Sequence, residues 1–234
     1  YPADFMAAVL SNQGEFYTTM AYMEEARRMG LRILLPDVQK GEMAFSAEGP
    51  HAIRVGLMQI KDIAVKHWEA FLEERNHKPY ENLTDFLLRT QFNQAELETI
   101  IKCGACDSFP LNRPQMLWIL KATISSILEQ RTRSSLIGAE MIRTPKAPRL
   151  RDYNEDQRLR WEVELLDIGV TQHPLHLFKP WKQLRNFIPA KHLKDYKDEY
   201  VQLIGWLVTT KPSSTRKNER MLFATFEDTE TMYE

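Results

Sequence analysis

Apolar positions recur at helical spacing through the opening of the chain. Residues 3–13 and 15–29 read as two amphipathic helices, the second with Tyr17, Met20, Tyr22, Met23, Ala26 and Met29 inward and Glu24, Glu25, Arg27 and Arg28 outward. Gly30 is a natural stop for the second helix. LRILLPDV then has the look of a short strand ended by proline, and MAFSAEG followed by HAIRV predicts a small hairpin or a pair of extended segments. A helical turn carrying Val55, Gly56, Leu57 and Ile60 breaks at Ile60-Lys61-Asp62-Ile63-Ala64 and resumes as a longer helix, the outline of a helix-hairpin-helix. Two shorter helices follow from Leu83 to Leu88 and from Gln94 to Cys103, and Asn112-Arg113-Pro114 opens a long one reaching about Glu129. Residues 130–154 change character, with Arg, Ser, Thr and Pro around an apolar island at Leu136-Ile137, and read as a linker or docking segment. One more helix is expected over about 155–168. From about 199 the period switches to alternation, with strand-like runs at 199–210 and 219–227 joined by a Lys/Arg/Ser loop. The expected fold class is therefore mainly α with a C-terminal β segment, the opening of a small barrel.

Composition changes this picture little. At 234 residues, 43% hydrophobic and 27% charged, the chain can bury a real core and suits one large or two small domains, with two preferred. Its longest apolar runs fall far short of a membrane span, so no membrane partner is expected and the localisation expected is cytoplasmic. A net charge of −1 excludes a global basic field, and any nucleic-acid binding must come from a local patch. The abrupt start at YPADFMAAVL and a finish inside strand-like sequence predict a segment of a longer chain. Cys103 and Cys106 form a single CxxC, which His173 and His176 could in principle extend to a zinc set. No zinc-ribbon turns flank the pair and no strand-turn-helix precedes it, so neither metal nor redox chemistry is expected there.

Seven stretches in order carry a family likeness: YPADFMAAVLSN, EEARRMGLRILLPDV, AIRVGLMQIK, LTDFLLR, IIKCGACDSF with NRPQML, ELLDIGVTQHPL, and VQLIGWLVTTK with MLFATFEDTE. Together they resemble the bacterial DNA polymerase III alpha subunit, the C family of replicative polymerases. The resemblance implies the end of a fingers region over 1–50, a helix-hairpin-helix clamp-docking region over 51–132, a linker with connecting helices over 133–198, and the start of an OB-fold domain over 199–234. It also implies a non-catalytic part of the subunit, positioning duplex and single-stranded template DNA and docking a sliding clamp among other replisome subunits. The metal-binding carboxylates and their magnesium belong to a palm that would lie upstream. No catalytic residue and no cofactor is assigned to this chain. The competing reading is a divergent paralogue acting as a protein-interaction scaffold with eroded DNA contacts.

Departures from the family pattern sharpen these expectations. The family hairpin reads Ile-Lys-Gly-Val-Gly, and here both glycines are replaced, by Asp62 and Ala64. Glycine gives such a turn a positive φ and lets backbone N–H groups approach phosphate, whereas Asp62 adds a negative charge. The hairpin is therefore expected to be structural, with Lys61 its remaining candidate phosphate contact. At the place of the family's clamp peptide stands Arg133-Ser134-Ser135-Leu136-Ile137-Gly138, with Arg for Gln and Ile for Phe. Arg133, Leu136 and Ile137 are the candidate clamp contacts, weakened by loss of the aromatic anchor, against a plain linker as the alternative. At the OB-like end Lys211, Arg216, Lys217 and Arg220 are expected on the loop between the first two strands, as phosphate contacts for a single strand. Trp206, Phe223 and Phe226 stand in the strands, as stacking platforms or as barrel core.

Overall fold

A computed structural model describes residues 1–12, 18–133, 145–178, 187–215 and 218–234, the side chains of residues 130, 132 and 133 excepted. Helix α1 (Pro2–Ser11) starts on a proline, which fixes φ where no N–H bond is needed. Helix α2 (Thr19–Arg28) is capped by Thr18, whose hydroxyl accepts the Ala21 amide. Gly30, at φ +82°, ends it as the sequence predicts. Three short strands follow, β1 (Arg32–Leu34), β2 (Ser46–Ala47) and β3 (Ala52–Arg54), with β3 central, parallel to β1 and antiparallel to β2. Gly56 then passes so close to the backbone of Met43 and Ala44 that a Cβ would lie 2.5 Å from the Ala44 carbonyl carbon.

The helical body continues with α3 (Val65–His77), α4 (Leu83–Arg89), α5 (Gln94–Lys102), α6 (Arg113–Arg133) and α7 (Glu155–Leu166). An aromatic cluster joins α3 to α4 and the segment before α5. Phe71 stacks on Tyr80 at 5.5 Å, and Trp68 meets Phe92 edge-on at 5.0 Å. Each ring of this kind brings a large buried area and a favoured edge or offset geometry, which makes the cluster the anchor of the core. Cys103 and Cys106 lie fully buried beside it as free thiols, and burial pushes the Cys103 thiol up to about 12. Among the described residues no group of three or more His, Cys, Asp or Glu is placed to hold a metal, and no helix is long and apolar enough to cross a membrane.

The C-terminal segment is a three-stranded antiparallel sheet of β4 (Trp206–Ser214), β5 (Arg220–Glu227) and β6 (Met232–Tyr233), in that spatial order. The helical body with a β segment after it is the expected fold class. The first strand is displaced from its expected place. Residues 199–205 are not a strand, apart from a single bridge between Gln202 and Phe187, and β4 instead runs through Pro212 to Ser214. Proline is tolerated there because β4 is the edge of its sheet. Lys211 consequently lies inside a strand, opposite Phe223, and Arg220 begins the next strand opposite Ser214, so neither belongs to the connecting loop. The expected loop cations Arg216 and Lys217 lie outside the described residues, as do the expected clamp residues Leu136 and Ile137. Arg133 closes α6, and its side chain is not described.

Candidate nucleic-acid interface

The hairpin is built from a single 3-10 turn, Leu57–Gln59, a bend at Ile60–Ala64, and α3. Its apolar side is held by Leu57 and Ile60, both buried, while Asp62, Ala64, Val65 and Lys66 face solvent, Val65 at 62% exposure. Asp62 adopts φ +59°, the left-handed conformation that glycine would supply. Aspartate is among the few non-glycine residues that tolerate this region, so the bend survives the loss of its glycine. Ala64 sits at φ −65° in extended backbone, which needs no glycine for its torsion. It offers no side-chain cap to α3. Helix α3 therefore opens toward solvent with the positive end of its dipole unscreened by a side-chain acceptor.

Lys61 does not point an uncommitted charge at that opening. Its backbone N–H donates to the Leu165 carbonyl at 3.0 Å, its ammonium donates to the Glu164 carbonyl at 2.9 Å, and Nζ lies 2.5 Å from Asp167 Oδ1. Gln59 Nε2 adds a bond to the Leu166 carbonyl at 2.7 Å. The last three carbonyls of α7, orphaned as at any helix end, are thus satisfied by the hairpin rather than by residues beyond the helix. Asp167, at φ +58°, turns the chain away immediately afterwards.

Behind the bend, Glu96 ties two helix starts together. It closes a capping box with Asn93 at the head of α5, accepts the Ala64 amide at 3.3 Å, and holds both carboxylate oxygens within 2.9 Å of His67 Nδ1. Burial pushes its carboxyl up, but the Asn93 amide, the His67 ring and the Ala64 amide outweigh that and hold it below the ordinary glutamate value. Gln59, Glu96, His67 and Asp167 were not among the residues singled out in the sequence. The Asn-x-x-Glu spacing of Asn93 and Glu96 is the one local signal that marks any of them.

The β4–β5 ribbon forms a second surface. Lys211 and Phe223 are direct cross-strand partners and both are exposed, Phe223 at 40%, which sets a cation beside an aromatic face. Phe226 instead stacks on Tyr233 at 5.8 Å, and Trp206 lies near Phe178 at 6.3 Å. From Trp206 the ribbon rises roughly 3.4 Å per residue, so its tip stands about 27 Å along the strand. The structure therefore brings Trp206, but not Arg220, close to the hairpin.

Residues 30–116 match the model of the helix-hairpin-helix motif. Across 94% of its length the chain is 29% identical to the DNA polymerase III subunit alpha of Aquifex aeolicus. The chain is homologous to one segment of the DNA polymerase III alpha subunit. The Thermus aquaticus subunit alpha is 35% identical over 75% of the chain, and an error-prone DNA polymerase of Corynebacterium diphtheriae is 27% identical over 89%. These matches cover 18%, 15% and 19% of the respective relatives, so the chain spans about a fifth of their length or less.

Proposed function

We propose that this segment positions DNA for a polymerase III alpha-like subunit without supplying its chemistry, with the hairpin bend on duplex backbone and the β4–β5 ribbon on a single strand. The observation that carries the reading is the solvent-facing start of α3, which keeps a left-handed residue at position 62 and has no side-chain cap. Such a helix start presents backbone N–H groups and a positive dipole end to a phosphate. The Lys211–Phe223 pair supports the second half, because single strands are held by stacking on aromatics beside cations. On this reading 199–234 opens an OB-fold, the magnesium-dependent chemistry resides in a palm outside the chain, and the setting is the cytoplasm.

The test is fluorescence anisotropy with duplex DNA over a salt series. Asp62→Gly with Ala64→Gly is expected to raise duplex affinity, by removing a negative charge and a Cβ from the path of the phosphate. Lys66→Ala is expected to lower affinity and to flatten the dependence of log affinity on log salt by roughly 0.9. Replacing Lys211, Arg216, Lys217 and Arg220 by alanine is expected to weaken single-strand binding and leave duplex binding nearly unchanged. No duplex binding at low salt by either the native chain or the double-glycine variant would sink the hairpin reading.

A protein-scaffold role is favoured by one specific observation, the commitment of Lys61 and Gln59 to the end of α7. Its partner would be the sliding clamp, reached through Arg133, Leu136 and Ile137. Alanine at Leu136 and Ile137 together is expected to abolish clamp binding, and Ile137→Phe to strengthen it by restoring an aromatic anchor. Unchanged clamp affinity in both would place docking elsewhere.

A further inference from the structure

The cleft where the helical body meets the sheet takes no part in the backbone contacts proposed above. It holds about 510 Å³, within the range of small-molecule sites, and its walls include Thr19 of α2, Gln59 of the hairpin, Asp167 after α7, and Trp206 and Val208 of β4. The Gln59 amide is fixed in orientation. Its Nε2 is the donor to the Leu166 carbonyl, which leaves Oε1 as the acceptor, and that oxygen is buried with no hydrogen-bond partner among the described residues. A buried acceptor removed from water and given no donor is disfavoured until a donor arrives.

The neighbours of that oxygen define the donor. Trp206 is half-buried at the cleft, with Phe178, 55% exposed, tilted against it at 47°. Asp167 adds a carboxylate whose side chain is 67% exposed and whose charge is shared with Lys61. Two acceptor groups beside an indole repel a phosphate and suit a flat ring with N–H groups on its edge. We propose that the cleft takes one unpaired nucleobase, stacked on Trp206 with its N–H edge toward Gln59 Oε1 and Asp167. The proposal rests on the nucleic-acid reading above and extends it from backbone to base. A base held here fixes the position of a single strand between hairpin and sheet, which sequence-tolerant backbone contacts alone do not do.

The experiment compares a mixed-sequence single strand with the same strand carrying abasic sites across a central window. Native protein is expected to bind the intact strand about tenfold tighter, in keeping with the worth of one stacked base. Trp206→Phe is expected to retain that ratio and Trp206→Leu to lose it, while duplex affinity stays level in both as a check on folding. A ratio near one in the native protein, or one that survives in Trp206→Leu, overturns the proposal. Free 2-aminopurine riboside separates this inference from the backbone reading and needs no variant to fold. Should no oligonucleotide bind at all, the backbone reading fails, and quenching of the riboside by native protein still upholds the cleft. Absence of that quenching overturns it.

Discussion

Lys61 was expected as the remaining phosphate contact of the hairpin, yet every donor it shows is directed at the end of α7. A lysine at a helix C-terminus gains both from the free carbonyls and from the negative end of the dipole. Lys61→Met is therefore expected to lower stability by roughly 1 kcal/mol, the usual net worth of such a bond, seen as a lower urea midpoint with an unchanged denaturant slope. The same variant should leave the salt dependence of duplex binding as it was. A slope flattened by roughly 0.9 with no change in midpoint would return Lys61 to the interface. Asp62 shows the opposite relation between sequence and role. Its identity argued against the bend, and its backbone keeps the bend.

At the level of elements, the bend depends on α5 more than on its own residues. Glu96 holds the Ala64 amide and the His67 ring while capping its own helix. Because its carboxyl is held below its ordinary value in the folded state, the stability it contributes is present above the unfolded glutamate value, about 4.3, and is lost as pH falls through the lower folded value. Urea unfolding from pH 7 down to pH 3 should show native protein more stable than Glu96→Gln at neutrality, with the gap narrowing once the medium is more acid than about pH 4. A gap constant over that range would mean that Glu96 acts through shape alone. Strand β4 makes a second point at this scale. The sequence 199–210 carries the apolar alternation, but pairing is decided by what lies opposite, and β5 sits against residues 206–214.

For the whole molecule, stability is unevenly spread. The body has one continuous core, whereas Met221, Leu222 and Phe223 are exposed in succession, so the outer half of the ribbon buries neither face. The inner half is anchored by Glu227, fully buried and 3.9 Å from Arg28 of α2 and 3.5 Å from His173. Backbone amides of residues 209–214 and 220–224 are expected to exchange with solvent faster than those of α3, α5 and α6, because little apolar area is exposed when they open. Equal protection across ribbon and body, measured by hydrogen exchange, would show that the sheet opens only with the global fold.

The sequence by itself determined the helical body, the stop at Gly30, the helices from Leu83 to the end of α6, the switch to strands and the family resemblance. These follow from local periodicity, caps and ordered motifs, which are properties of neighbours along the chain. Tertiary structure alone decided what Lys61 binds, that Asp62 holds a left-handed bend, where β4 begins, and that Gln59, Asp167 and Trp206 share one cleft. Each of these depends on a partner more than 20 residues away or on the register of an opposing strand. Spacing along the chain fixes which face a residue occupies, but only packing fixes which carbonyl, carboxylate or ring it meets there.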